Sequence, residues 1–274
     1  MEVTDPQVEK QFAAMTFRLT KDASYVGYRG TDSSLVGWKE DFNLSFRCPV
    51  PSQTEAVRYL NEAAARVDGD LLVGGHSKGG NLAVYAAARA AGAASERVVR
   101  VFSHDGPGFL AEFLATEEYR RVEPRVEKTL PQSSVVGMLL EQQEGYQVVR
   151  SNRALIWQHD LFSWVVDGCE LVHVDGLAPD ARYLSSTISA WLGARTNEER
   201  ERFIDTLYSV IDLGDVSTTR ELRADWRHSV PARTRAFASL DAETRSFVIQ
   251  TLRALVPLGV RVVPGNLADR KSVV

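Results

Sequence analysis

The 274-residue chain has 32 basic against 36 acidic residues, a net charge of −4, with 44% hydrophobic and 25% charged positions. That balance is ordinary for a soluble globular protein, gives no basic footprint for nucleic acid and contains no apolar run of membrane-span length. Met1-Glu-Val-Thr-Asp-Pro6 lacks the basic start and apolar segment of a signal peptide, so the expected location is cytoplasmic. Cys48 and Cys169 show no metal-type spacing and are expected to be two free, buried thiols.

Residues 11–19 and 23–29 predict two strands joined by the polar turn Thr20-Lys-Asp22. The second runs into Tyr28-Arg-Gly-Thr-Asp-Ser-Ser34, a turn-rich stretch. It is followed by residues 35–46, where Trp38 beside Lys39-Glu-Asp41 is expected to anchor a loop in the core. Residues 53–66 predict a helix with Val57, Leu60 and Ala64 on one face. It would cross back to a strand at Leu71-Leu-Val73, the connection a parallel sheet requires. An alanine-rich helical pattern then runs to about Gly92.

A strand is predicted over residues 97–103, ending in His104-Asp-Gly-Pro-Gly108, then a short helix over 111–120 and a strand over 125–130 closed by Pro131. Residues 146–157 read as two strand-like runs, broken at Ser151-Asn152, and end in Gln158-His-Asp-Leu-Phe162. From about Ala178 the pattern becomes helical. Leu184, Ile188, Trp191 and Leu192 share a face, as do Phe203, Leu207, Val210 and Ile211, and Val248, Leu252, Leu255 and Val256 repeat the pattern. The second of these helices starts at the capping box Thr196-Asn-Glu-Glu199 and stops near Gly214. The expected organisation is a core over residues 1–177 and a helical subdomain over 178–274 packed on it.

Between the strand and the helix at its centre the chain reads Gly75-His-Ser-Lys-Gly79. Gly-x-Ser-x-Gly in that setting is the nucleophile elbow of an α/β-hydrolase. The turn strains Ser77 and lifts its hydroxyl clear of the sheet, and side chains at Gly75 and Gly79 would collide with neighbouring backbone. Gly79, Gly80, Ala83, Ala87 and Ala90 form a small-residue stripe that lets the helix lie close on the sheet. The bland reading of the pentapeptide is a glycine-rich loop with a cap serine; the strand and helix on either side argue against it. The Gly30-Thr31 turn, ending the strand before the elbow strand, lies where a hydrolase places its second oxyanion donor. The N–H groups of Thr31 and Lys78 are therefore candidates to hold a tetrahedral oxygen.

Tyr28-Arg-Gly-Thr31, Gly37-Trp-Lys-Glu-Asp-Phe42 and Gly75-His-Ser-Lys-Gly-Gly-Asn-Leu-Ala-Val-Tyr85 together resemble a bacterial family of lipase-like α/β-hydrolases of unassigned function. That family is distantly related to the class 3 triacylglycerol lipases. Asp105-Gly-Pro-Gly-Phe109, residues 131–140 and Gln158-His-Asp160 extend the resemblance over about residues 10–165. It implies an α/β-hydrolase fold of the lipase-like kind, ester hydrolysis on an acyl or lipid-like substrate, and no metal or organic cofactor. Such proteins carry a longer segment ahead of Gln11-Phe-Ala-Ala-Met15, so this chain reads as a fragment, a short member or the product of a misplaced start.

A serine hydroxyl needs a base within hydrogen-bond reach. Of five histidines, His76 lies inside the elbow with its ring expected to point away from the hydroxyl, so it reads as structural. His104 would face the other side of its strand, His173 sits on an alternating polar stretch, and His228 lies in the helical tail. His159, just past a late strand, completes the order serine, acid, histidine. In the class 3 lipases the acid follows the strand after the one ending at Asp105. Here that position, Pro131-Gln-Ser-Ser134, offers no carboxylate. Asp105 from the neighbouring strand end is the favoured acid, and a Ser–His pair oriented by Ser133 or Ser134 is the alternative. Asp160 is expected to point elsewhere. The Lys78 side chain reads either as a solvated helix-start lysine or as a partner of Glu40 or Asp41 that locks the oxyanion loop to the elbow. The rival functional reading is a degenerate hydrolase that binds an acyl ligand or a protein without turnover.

Overall fold

The computed structural model describes residues 1–32, 34–140 and 145–211, and positions 234, 235, 237–242, 244–246 and 249. Ten strands are present among them: β1 (Glu2–Asp5), β2 (Lys10–Arg18), β3 (Ala23–Tyr28), β4 (Asp70–His76), β5 (Val98–His104), β6 (Val126–Pro131), β7 (Tyr146–Val149), β8 (Val166–Asp167), β9 (Glu170–Leu171) and β10 (His173–Val174). The helices are α1 (Leu35–Asn43), α2 (Pro51–Ala64), α3 (Lys78–Arg89), α4 (Gly92–Arg97), α5 (Ala111–Leu114), α6 (Glu117–Val122), α7 (Pro179–Gly193) and α8 (Asn197–Ile211).

Eight strands form one sheet in the order β1-β2-β3-β4-β5-β6-β7-β10, and β8 and β9 make a separate hairpin. The five strands from β3 to β7 run parallel, with antiparallel pairs at both edges. Parallel neighbours need crossovers. Helix α2 supplies the one from β3 to β4, α3 and α4 the next, and α5 and α6 the one after. This mostly parallel sheet flanked by helices, with a serine turn after a central strand, is an α/β-hydrolase architecture.

Val26 and Tyr28 of β3, Leu71 and Val73 of β4 and Val101 of β5 form one core with Ala56 and Leu60 of α2 and Leu82, Ala83, Ala86 and Ala87 of α3. Each fully buried leucine here contributes roughly 1.5–3 kcal/mol. The Tyr28 hydroxyl donates to the Ala56 carbonyl at 2.7 Å and ties α2 to β3. The small side chains of α3 let its first turn touch the sheet. A methyl group on Gly75 would sit 2.5 Å from the Tyr28 oxygen, and one on Gly79 would collide with that same oxygen.

Helix α8 rests on α1, and Trp191 of α7 packs against Phe203 of α8. Phe203, Ile204 and Tyr208 cluster with Leu35 and Phe46, and Lys39 pairs with Asp205 at 2.9 Å. The capping box is present: Thr196 N–H donates to Glu199 Oε2 at 2.9 Å, and Glu199 N–H to Thr196 Oγ1 at 3.2 Å. The stop near Gly214, His228 and the repeat at Val248, Leu252, Leu255 and Val256 lie outside the described residues. Among the described residues no helix is long and apolar enough to cross a membrane.

Four expectations need correction. The helix predicted over 111–120 is two helices, because the Thr116 hydroxyl caps the second by accepting from Tyr119 N–H at 3.3 Å. The second strand-like run before Trp157 is instead a 3-10 turn (Leu155–His159), since Leu155 adopts φ 55° and leaves the extended region. Trp38 is 44% exposed rather than core, because α1 buries Leu35, Gly37, Glu40 and Asn43 and turns Trp38 and Phe42 outward. Cys169 is an exposed free thiol, placed with Gly168 (φ 61°) in the two-residue turn of the β8–β9 hairpin. Strand β1 was not foreseen; it forms by antiparallel pairing with β2.

The close approach of α3 sets the first prediction. Gly75→Ala should destabilise the protein by about 3 kcal/mol in urea unfolding, the upper range for overpacking. Gly176→Ala, where a methyl group meets nothing within 4 Å, should change stability by less than about 0.5 kcal/mol.

Candidate active site

The elbow forms where β4 ends at His76 and α3 begins at Lys78. Ser77 between them has φ 58° and ψ −132°, a conformation that costs a non-glycine residue about 1–3 kcal/mol. Its neighbours hold the strain. Ser77 N–H donates to the His104 carbonyl at 2.9 Å, and its own carbonyl accepts from Gly80 N–H at 2.9 Å. Lys78 is the first helical residue, so its N–H has no partner within the helix.

The strand next to β4 supplies the carboxylate. Asp105 follows β5 directly, is fully buried with φ 48°, and its N–H donates to the Thr129 carbonyl of β6 at 2.8 Å. Asp105 Oδ2 lies 2.7 Å from His159 Nδ1. Its other oxygen accepts from the Ser134 hydroxyl and, at 3.1 Å, from Gly137 N–H. These donors hold Asp105 as an oriented acceptor for a ring N–H. With Nδ1 so engaged, His159 has Nε2 as the nitrogen that can take a proton.

The turn bearing His159 is fastened on both sides. The Gln158 side chain accepts from Ser133 N–H at 2.8 Å, and its carbonyl accepts from the Trp164 indole at 2.8 Å. His76 Nε2 lies 2.7 Å from the His159 carbonyl, and the two rings are 4.4 Å apart. His76 therefore seats the His159 turn on the elbow. Burial, with the His159 ring as a second cause, lowers the His76 pKa to about 4, so it is a neutral donor at physiological pH.

On the other side of Ser77 lies the turn after β3. A methyl group on Gly30 would stand 2.6 Å from the His76 carbonyl and 3.1 Å from Ser77 Cβ, so this turn abuts Ser77. The Thr31 hydroxyl donates to Asp41 Oδ2 at 2.5 Å. Burial raises the Asp41 pKa to about 6, against the opposing pull of Lys78 and of the Thr31 hydroxyl. Lys78 is not solvated: its ammonium is buried, 3.0 Å from Glu40 and 3.8 Å from Asp41.

The structure thus brings Ser77, Asp105, His159, Thr31 and Lys78 to one edge of the sheet, with Gly75 and Gly79 beneath the turn. The other candidates fall elsewhere. Asp160 caps Phe162 N–H and pairs with Arg153. His104 packs against Phe102 and Trp164, and burial lowers its pKa. His173 sits on edge strand β10. Sequence reasoning offered Ser134 as a substitute for Asp105, whereas the structure places both in one network. It passed over Gly137, Gln158 and the bond from His76 to His159, whose partners are distant in the chain.

The profile of the Mbeg1-like family matches residues 1–209. The chain belongs to the Mbeg1-like family. No curated protein matches it. A solved structure titled "Crystal structure of M37 lipase" matches at 15% identity and a TM-score of 0.38, covering 50% of this chain and 54% of that one. The match thus spans about half the length of that protein.

His76 and Asp41 give this family member opposite pH slopes. The pKa of His76 is depressed to about 4 from 6.5, so its contribution to stability is complete above about pH 6.5 and is lost as pH falls through 4. The pKa of Asp41 is raised to about 6 from 3.8, so its contribution is complete below about pH 3.8 and is lost as pH rises through 6. Urea unfolding at about pH 4.5 and about pH 7 should show His76→Gln losing less stability on acidification than the wild type, and Asp41→Asn losing more.

Proposed function

We propose that the protein is a serine hydrolase acting on carboxylic esters with apolar acyl groups. Ser77 attacks the acyl carbonyl while His159 Nε2 takes the hydroxyl proton. Asp105, held by Ser134 and Gly137, keeps the imidazole in the required tautomer and stabilises the imidazolium. The N–H groups of Thr31 and Lys78 receive the developing oxyanion. His159 returns its proton to the leaving alkoxide, giving an alcohol and an acyl-serine. Water, deprotonated by His159, then releases the acid and restores Ser77.

The observation that carries this reading is the Asp105–His159 hydrogen bond of 2.7 Å set against a serine at φ 58°. A buried carboxylate oriented on an imidazole beside a strained serine serves no packing need. Ile156, Trp157 and Phe162 stand exposed on the segment that carries His159 and suit an apolar substituent. The lipid-like character of the substrate otherwise rests on the family resemblance.

The test is intact-protein mass spectrometry after treatment with a fluorophosphonate probe. A single adduct is expected on the wild type and none on Ser77→Ala. Asp105→Asn should lower the labelling rate by about 10⁴-fold, the effect of holding the wrong tautomer. A folded wild type that takes no label would sink the hydrolase and leave an acyl-binding module as the better reading.

A further inference from the structure

The steps above use the main-chain N–H of Lys78 and leave its side chain without a task. That side chain is 1% exposed, one residue from the nucleophile. Its three ammonium hydrogens are all engaged, by Gln11 Oε1 at 2.8 Å, the Gln11 carbonyl at 2.9 Å and Glu40 Oε2 at 3.0 Å. Glu40 is equally saturated. Its Oε2 also accepts from Gln11 N–H at 3.0 Å, and its Oε1 accepts from Ser52 N–H at 2.7 Å. One buried ion pair thereby joins β2, α1, the first turn of α2 and the elbow.

The next residue of α1 is Asp41, which receives the Thr31 hydroxyl. The two proposed oxyanion donors are thus fastened to adjacent residues of one helical turn. Lys78 reaches it through Glu40, and Thr31 reaches it through Asp41. A buried ion pair is often no more stabilising than apolar side chains of the same volume. Filling this space would need only a methionine or leucine at position 78. What the charged pair adds is directional: one bond to Glu40 of α1 and two to Gln11 of β2, whose own N–H donates to Glu40, fix where residue 78 sits relative to α1.

We infer that Lys78 and Glu40 form a positioning pair that sets the separation of the two oxyanion donors, acting through the backbone of residue 78 without touching substrate. The inference rests on the ester-hydrolase reading. A displacement of about 1 Å at such donors is enough to cost on the order of 100-fold in rate.

The experiment uses the full chain and p-nitrophenyl butyrate, with fluorophosphonate labelling of Ser77 in parallel. Lys78→Met and Glu40→Gln should each lower kcat about 100-fold with KM within about twofold, the pattern of a lost transition-state interaction. The double variant should be no worse than the poorer single, because the two act as one unit. Urea unfolding of each variant identifies the folded fraction, and rates are compared per folded molecule. A folded Lys78→Met or Glu40→Gln protein with wild-type kcat overturns the inference and leaves the pair a purely structural one. Additive losses in the double variant also overturn it, since independent effects exclude a shared task. A wild type that takes no fluorophosphonate removes the hydrolase reading and this inference with it, so the two failures are distinct.

Discussion

Helix α3 approaches the sheet so closely that backbone meets backbone, and the rest of the site depends on that contact. Tyr28 O occupies the space that a side chain at Gly75 or Gly79 would fill, and Gly80 lies within reach of Ser103 Oγ. Because the helix starts this near the strand ends, the chain must reverse within one residue. Ser77 absorbs the reversal at φ 58°. The same contact brings the turn after β3 against Ser77 and aims the first turn of α3 at the mouth of the site. Strain at the serine and compactness beneath it are two consequences of one constraint.

Asp105 shows how a parallel sheet lets a residue at one strand end reach groups beyond the neighbouring strand. Strands β5 and β6 end side by side, and Asp105 N–H bonds to the Thr129 carbonyl across them. A carboxylate on the end of β5 thus reaches groups that follow β6. The segment after β6 contributes donors, Ser134 and Gly137, to a carboxylate that comes from β5. Asp105, at φ 48°, bends away from its strand to make this possible. Of the two serines first weighed against Asp105, Ser134 is its partner, and Ser133 N–H donates to Gln158.

The parts legible in the sequence were those with a local physical signature. The elbow announces itself because collisions demand glycine at fixed offsets from the serine. The strands and helices of the parallel core follow from short apolar runs and one-faced helical patterns. The place of His159 beside Asp105 agrees with the order read from the sequence, although the turn that holds it is a 3-10 turn that starts at the left-handed Leu155. Other features lacked such a signature. Gln11 reaches Lys78 from 67 positions away, and nothing in its own neighbourhood marks it as a buried partner, whereas Glu40, 38 positions away, was one of the two partners the sequence offered. Strand β1 is polar and exists by pairing with β2, so its propensity alone said little. Trp38 was misplaced because burial on α1 went to Glu40 and Asn43, polar residues that sequence patterns assign to the surface.

That last inversion carries the broader argument. On the helix-covered face, the core beneath the sheet is apolar and tolerant of shape. Around the elbow it gives way to buried polar contacts: Glu40 with Lys78 and Gln11, Gln53 with Asn81, and Asn81 with the carbonyls of Pro107 and Gly108. Apolar packing is nondirectional and would let the loops around Ser77 settle in several arrangements of similar energy. Hydrogen bonds among buried groups are costly to leave unmade, so they admit few arrangements. The start of α2, the elbow and the loop after Asp105 are each tied into this network by at least one buried bond, and the loop after β3 is held to α1 by the half-buried bond from Thr31 to Asp41. A site that holds a strained serine, a buried carboxylate and the two proposed oxyanion donors in register needs that kind of fixation more than it needs stability.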